Sequence, residues 1–178
     1  ASTGLTSATS STFDITTIVY VNGDYRTTGS GTWLSNNATP AIWERLVTGV
    51  WTTSNSPTYN TSNTVYIQNG HTITSGGSFG TTVNLVIFDG GTFNCNHSGT
   101  TATTYIYDGG TLNVNASFTI ASGGTFEVED NATVDINFSF GTPASSIWQG
   151  TEIFHPLSNL IISNWDFAND FLIPDNTS

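Results

Sequence analysis

Hydrophobic and polar positions alternate in short runs along this chain, and one pattern of alternation is repeated four times between Val65 and Val128. Each copy has a run of β-branched or aromatic residues, a polar residue with one or two glycines, a threonine, and a second alternating run. The copies read VYIQNGHTIT, LVIFDGGTFNC, TYIYDGGTLNV and FTIASGGTFEV. Alternation with a period of two predicts β-strands, and the glycine-containing pairs predict a tight turn between them.

The spacing of the turns predicts how the strands are arranged. The turn glycines at positions 70, 90, 109 and 123 are 20, 19 and 14 residues apart. A repeat of this length is typical of a solenoid, because no single copy can bury its own apolar side. We therefore predict an all-β fold, a right-handed parallel β-helix. The shorter last spacing indicates either that a coil has lost a loop or that the fourth copy starts on another face.

Alignment of the four copies predicts which side chains form columns along the helix axis. Strands of adjacent coils lie about 4.8 Å apart, so equivalent side chains become continuous ladders. Two interior apolar columns and one hydroxyl column are expected: Ile67, Ile87, Ile106 and Ile120; Ile73, Phe93, Leu112 and Phe126; and Thr72, Thr92, Thr111 and Thr125. In the following coil we expect Asn131 to replace the turn glycine, since asparagine tolerates the left-handed conformation.

Four segments are predicted from the way the pattern changes. Residues 1–16 alternate around Leu5, Phe13 and Ile15, which predicts an extra N-terminal β-strand. Residues 17–62 form an N-terminal cap region, residues 63–140 form the coils, and residues 141–178 form the last coil and a C-terminal cap.

Aromatic residues are concentrated at the two predicted ends of the solenoid. An open end exposes the apolar interior and unpaired strands, so we expect tryptophans to cover it. These are Trp33, Trp43 and Trp51 at one end, and Trp148, Phe154, Trp165 and Phe167 at the other. The alternative is that Trp33, Trp43 and Trp51 form an exposed platform on which sugars stack. Arg45, in the same region, is expected to pair with Glu44 or Asp24.

The charge of the chain excludes several classes of partner. Only 8% of the residues are charged, and the net charge is −11. Nucleic-acid binding needs a basic surface, so nucleic acid is not an expected partner. No apolar run approaches the roughly 18 residues of a membrane-spanning segment, so membrane insertion is not expected.

Carboxylates in the turn column are the first candidates for chemistry. Asp89 and Asp108, with Asn69 in the coil before and Ser122 in the copy after, occupy equivalent positions. Stacked carboxylates repel one another unless a cation bridges them, so Ca²⁺ is the one cofactor that this column suggests. Aspartate before glycine is also an ordinary turn residue, and we expect these two to be solvated. A glycosidase also uses two carboxylates at a fixed separation, so catalysis by this pair is a further alternative.

Cysteine and histidine provide no recognisable catalytic or metal-binding spacing. Cys95 is the single cysteine, and we expect it to be a buried structural thiol. His97 lies two residues further, on the same face of an extended strand, and the alternative is that the two residues bind a metal ion. His71, His97 and His155 do not have the spacing of metal ligands.

Several short phrases in the N-terminal region resemble a known group of proteins. They are GDYR at 23–26, SGTW at 30–33, IWE at 42–44, PT at 57–58 and GHT at 70–72. Together they resemble the opening of secreted β-helical proteins of the Bacteroidetes group, over roughly residues 17–170. Residues 1–16 resemble the closing strand of the Ig-like repeats of large bacterial surface proteins. The resemblance implies a β-helix in an extracellular or cell-surface location, and it implies no particular activity.

These observations favour a non-enzymatic structural or adhesive module of an extracellular bacterial surface protein or fibre, acting as a stalk, a spacer or a filament subunit. The alternative is a β-helix that binds or cleaves carbohydrate through Trp33, Trp43, Trp51 and the acidic turn residues. The expected partners are extracellular glycans or further copies of the chain. The N-terminal strand, with Leu5, Phe13 and Ile15, is expected either to dock on its own solenoid or to be exchanged between copies.

Overall fold

The computed structural model describes residues 18–34, 42–138 and 150–163. Within these ranges the chain forms fourteen β-strands and no helix, and hence no helix long and apolar enough to cross a membrane. The strands are β1 (Tyr25–Thr27), β2 (Gly31–Trp33), β3 (Trp43–Val47), β4 (Val50–Ser54), β5 (Thr64–Ile67), β6 (Thr72–Ser75), β7 (Phe79–Ile87), β8 (Thr92–Cys95), β9 (Gly99–Ile106), β10 (Thr111–Val114), β11 (Phe118–Val128), β12 (Thr133–Ile136), β13 (Thr151–Phe154) and β14 (Asn159–Ile162).

The strands form two sheets. The large sheet has eight strands in the order β13-β11-β9-β7-β5-β1-β3-β4, and the small sheet has six in the order β14-β12-β10-β8-β6-β2. From β5 onward, odd-numbered strands pair in parallel in the large sheet and even-numbered strands do so in the small sheet. The predicted parallel β-solenoid is therefore confirmed, with about four turns and antiparallel strands at its N-terminal end.

The register of the first three copies agrees with the sequence alignment. Ile67 pairs with Ile87, and Ile87 pairs with Ile106. In the small sheet, Phe93 lies between Ile73 and Leu112. These interior side chains are fully buried, which is how the coils obtain a common core.

The alignment of the fourth copy was wrong. Val128, and not Ile120, continues the column of Ile106. Likewise Val134 replaces Phe126 in the column of Leu112, and Thr133 replaces Thr125 in the hydroxyl column. The physical reason is that the fourth copy begins on another face of the coil, which is one of the two alternatives that its short spacing suggested.

Strand β11 shows how this displacement arises. It runs along β9, and its register shifts between Ile120 and Thr125, so Gly123 lies in an irregular part of the strand. Four residues of β11, 121–124, lie opposite one residue of β9, Ala102, and a bulge of this kind bends a strand. Gly123 has a positive φ of 77°, but the turn that follows the coil is made by Asn131 with φ 57°, as expected.

The N-terminal end of the core is covered by aromatic side chains. Trp33 and Trp43 are buried, and the Trp33 ring stacks on Phe79 with 5.8 Å between the ring centroids. The Trp33 indole N–H donates a hydrogen bond to the Pro57 carbonyl at 2.7 Å, which satisfies its one buried polar atom. Their burial is what a cap requires. Trp148, Trp165, Phe167 and residues 1–16 lie outside the described residues.

The two arginines also make contacts in this region, but these are not the contacts that the sequence predicted. Arg26, rather than Arg45, pairs with Glu44, with 2.7 Å between Nη2 and Oε2. Arg26 and Glu44 are directly opposite on β1 and β3, which places their side chains on the same face. Arg45 lies over the Tyr25 ring at 5.5 Å, and its Nε is 3.4 Å from the Gly23 carbonyl oxygen.

Candidate functional site

The outward-facing side chains of the large sheet change character along the solenoid axis. In the lower coils, which are those nearer the N-terminal end, these side chains form an aromatic ladder. In this ladder Phe88 stacks between Tyr66 and Tyr107. The ring centroids are 5.8 Å and 5.4 Å apart, and the planes are inclined by only 11° and 27°. Rings stacked in this way cover one another's faces and leave mainly their edges to solvent.

In the next coil the ladder changes from aromatic to acidic. Phe88, Tyr107, Glu129 and His155 each donate a backbone hydrogen bond to the last strand residue of the coil below, so they occupy equivalent positions. Glu127 is the partner of Tyr105 in the strand register. The column of Phe88 and Tyr107 is thus continued by Glu129 and then by His155, whereas Glu127 follows Tyr105 in the neighbouring column.

Glu127, Glu129 and His155 form a cluster in which one ligand atom from each residue lies within 4.8 Å of the others. We call these three residues the Glu-Glu-His cluster. His155 Nε2 is 3.1 Å from Glu127 Oε1, and His155 Nδ1 is 3.7 Å from Glu129 Oε2. The His155 backbone N–H donates to the Val128 carbonyl at 2.9 Å, which places His155 in the coil above the two carboxylates. All three side chains are half-buried.

Two tyrosines of the coil below face the cluster. Burial raises the pKa of the Tyr105 hydroxyl, and its hydrogen bond to Glu127 raises it further. Burial and the negative charge of Glu129 raise the pKa of Tyr107 in the same direction. Both phenols are therefore neutral hydrogen-bond donors at physiological pH, and the Tyr105 hydroxyl holds the Glu127 carboxylate in position.

The chemistry available to the cluster is that of a ligand set for a divalent cation. Carboxylate oxygens and imidazole nitrogen are the ligands that proteins offer to Zn²⁺ and related ions. Within the part of the chain that the structure describes, this is the one group of three such residues that converges. The sequence did contain a signal, since Glu127 and Glu129 are two residues apart in a strand. His155 was missed because the last coil is longer than the repeat.

A shallow groove of about 340 Å³ lies beside the aromatic ladder. Ile18 and Val19 form part of it, and Thr64, Asn84 and Tyr105 from three successive coils form the remainder. The chain enters the described region along this face, where Tyr20 packs edge-on against Tyr66 and Trp51.

The predicted tryptophan platform is not present. Trp33 and Trp43 are in the core, at 0% and 2% exposure, so neither can present a face to a sugar ring. Trp51 is half-exposed, but the Arg26 guanidinium lies over its ring at 4.5 Å and Tyr20 packs against it. The prediction failed because these side chains cover the end of the core instead of facing solvent.

The predicted acidic turn residues are found at adjacent exposed turn tips. Asp89 and Asp108 are exposed, and the turns that carry them are joined by a hydrogen bond from the Gly90 N–H to the Gly109 carbonyl. Asp130, not Ser122, is the equivalent residue of the next coil, and its carboxylate accepts a hydrogen bond from the Leu157 N–H at 2.9 Å. Binding of Ca²⁺ by Asp89 and Asp108 stays a prediction.

The cysteine is a buried thiol, as predicted. Cys95 is fully buried, and burial raises the pKa of its thiol to about 12. Its Sγ is 3.2 Å from the His97 carbonyl, whereas the His97 ring is bonded to the Ser75 carbonyl at 2.9 Å. The thiol and the imidazole therefore have separate partners. His71 also has its own partner, the Thr27 hydroxyl at 2.8 Å.

Comparison of the chain with protein-family models, with curated proteins and with solved structures found no match. The β-solenoid of about four turns is shown by the structure itself. The resemblance to secreted β-helical proteins of the Bacteroidetes group stays a prediction.

Proposed function

We propose that this chain is a non-enzymatic structural or adhesive module of an extracellular bacterial surface protein or fibre, in which the solenoid acts as a stiff spacer, a stalk or a filament subunit. The observation that supports the proposal is the uninterrupted stacking of coils. Parallel pairing joins each coil from β5/β6 to β13/β14 to the next in both sheets. Every coil is therefore held by two sets of backbone hydrogen bonds and by a shared core.

Side chains on the outer face of the small sheet add a second connection between coils. The Asn94 side-chain amide donates to the Thr74 hydroxyl at 3.3 Å, and the Asn113 side-chain amide donates to the Asn94 side-chain oxygen Oδ1 at 2.7 Å. Stacked amides of this kind connect successive strands along the axis. Such a ladder resists separation of the coils, which is the property that a spacer needs.

A display experiment tests the spacer role. The chain is placed between an outer-membrane anchor and a fluorescent epitope, and the height of the epitope above the cell surface is measured by super-resolution microscopy. We expect a narrow height distribution, and a broad one for a Gly/Ser linker with the same number of residues. The Ile106→Asp variant serves as an unfolded control. Equal widths for the folded chain and the linker would contradict the proposal.

The absence of catalysis is tested separately with a panel of extracellular polysaccharides. The chain is incubated with each polysaccharide, and new reducing ends are measured. We expect none above the level of a Glu127→Gln/Glu129→Gln double variant. Release of reducing ends by the parent chain and not by the double variant would show that the module is a hydrolase.

Contact between copies through Leu5, Phe13 and Ile15 is part of the proposal, although residues 1–16 lie outside the described residues. Strand addition between identical subunits generates fibres when it does not close. The test is deletion of residues 1–16 followed by light scattering. Loss of oligomers supports strand exchange. A chain that is monomeric with and without residues 1–16, but melts at a lower temperature without them, supports docking of the strand on its own solenoid.

A further inference from the structure

The Glu-Glu-His cluster interrupts the repetition of the large sheet. The outward positions that hold Tyr105 and Tyr107 in one coil hold Glu127 and Glu129 in the next, and His155 follows in the coil above. Stacking of the coils does not require this change, because aromatic side chains fill the same positions below. Three metal-ligand side chains therefore meet where the ladder pattern predicts apolar ones.

The three side chains have the geometry of an open ligand set. Both ring nitrogens of His155 face a carboxylate oxygen, one at 3.1 Å and the other at 3.7 Å. One ligand atom from each residue lies within 4.8 Å of the others, which is close enough for one ion to contact all three. A cation between Glu127 and Glu129 also offsets the repulsion between their negative charges.

We propose that Glu127, Glu129 and His155 bind a divalent first-row transition metal ion such as Zn²⁺. The imidazole nitrogen favours such an ion over Ca²⁺, which takes six to eight oxygen ligands. Water completes the coordination, since the cluster lies on the outer face. The Tyr105 hydroxyl bonds to Glu127 and orients this carboxylate, the usual role of a residue that contacts a metal ligand.

The bound ion would connect two coils. Glu127 and Glu129 belong to the coil of β11, whereas His155 follows β13 of the coil above. Their separation in the sequence means that an unfolded chain does not hold the three ligands together, so the ion binds the folded state and stabilises it. The inference is independent of the spacer function, because a metal-binding solenoid can have any role.

The experiment is a metal titration of the full chain after dialysis against EDTA. Isothermal titration calorimetry measures binding of ZnCl₂ and of CaCl₂, and circular dichroism measures the melting temperature with and without each metal. We expect one equivalent of Zn²⁺ to bind and to raise the melting temperature. Glu129→Gln and His155→Gln are each expected to weaken Zn²⁺ binding at least tenfold. Asp108→Asn, which removes an exposed carboxylate at another place, is expected to leave Zn²⁺ affinity unchanged within about twofold.

Several results would overturn the inference. One is the absence of Zn²⁺ binding to the parent chain. Another is equal Zn²⁺ affinity in the parent and in both cluster variants. A third is loss of binding in Asp108→Asn alone, which would move the site to the turn column. If His155→Gln does not fold, Glu129→Gln decides, since Glu129 is half-buried on the outer face and its removal leaves the core intact.

Discussion

The outer faces of the two sheets differ in how strictly they repeat. On the small sheet, Thr74, Asn94, Asn113 and Asp135 follow one another in register, and this outward column stays polar until Ile161 of the last strand. On the large sheet, the stacked aromatic rings end at Tyr105 and Tyr107 and are replaced by the Glu-Glu-His cluster. Repetition therefore identifies the side chains that hold coils together, and the interruption of repetition identifies the candidate site.

The outer faces of both sheets depend on the same core. We therefore expect the largest loss of stability from a charge placed inside that core. Ile106 is fully buried between Ile87 and Val128. Ile106→Asp should unfold the chain, because burial of a lone carboxylate in an apolar column costs several kcal/mol. Circular dichroism and urea denaturation measure the effect. The matched control Ile106→Val should cost about 0.5–1.5 kcal/mol. Similar stability of the Asp variant and the control would contradict the assignment of Ile106 to an interior apolar column.

The bent part of the large sheet should be sensitive to added volume. Gly99 pairs with Phe79 on one side and Phe118 on the other. A Cβ at this position would overlap the Phe79 ring, so Gly99→Ala forces the ring or the strand to move. We expect a loss of about 1–3 kcal/mol in the free energy of unfolding, the usual cost of overpacking. The double variant Gly99→Ala/Phe79→Leu should recover part of it, and failure to recover any would show that the ring is not the obstacle.

The stability of the chain at alkaline pH should test the burial of Cys95, which lies in the interior under the small sheet. Burial raises the pKa of Cys95 from 9.0 to about 12, so the unfolded chain loses this proton at lower pH than the folded chain does. The contribution to stability is complete below pH 9 and is lost as the pH rises from 9 toward 12.

Urea denaturation across this pH range should therefore show a steeper fall for the parent than for Cys95→Ala. The native thiol should also react with iodoacetamide only after unfolding. Rapid alkylation of the native chain at pH 8 would contradict the burial of Cys95.

The sequence predicted the fold because the repeat carries two independent signals. The period of two in each strand places Ile87 and Phe93 inside, and the spacing of about 20 residues stacks one coil on the next. Asn131 was also predicted as a left-handed turn residue, because its side chain tolerates that conformation and the position lacks glycine. These features depend on residues that are close in the sequence, so a pattern can report them.

The candidate site could not be predicted in the same way. Glu127 lies in the fourth copy, which the repeat pattern assigned to the wrong face because β11 contains an irregular register. His155 follows a longer coil, so the spacing to its neighbours in space differs from that of the earlier copies. The prediction of a tryptophan platform failed for a related reason, since no pattern in the sequence shows whether Trp33 covers a core or faces solvent.

The difference between the two faces is tested most directly by one pair of variants in urea denaturation, with EDTA present. Asn94→Ala removes a side chain that is bonded to both neighbouring coils, and Glu129→Gln removes one charge of the cluster. We predict a loss of about 1–2 kcal/mol in the free energy of unfolding for Asn94→Ala, since each hydrogen bond contributes about 1 kcal/mol. For Glu129→Gln we predict a change below about 0.5 kcal/mol. A cost for Glu129→Gln equal to or greater than that of Asn94→Ala would show that the cluster holds the coils together and would contradict the account.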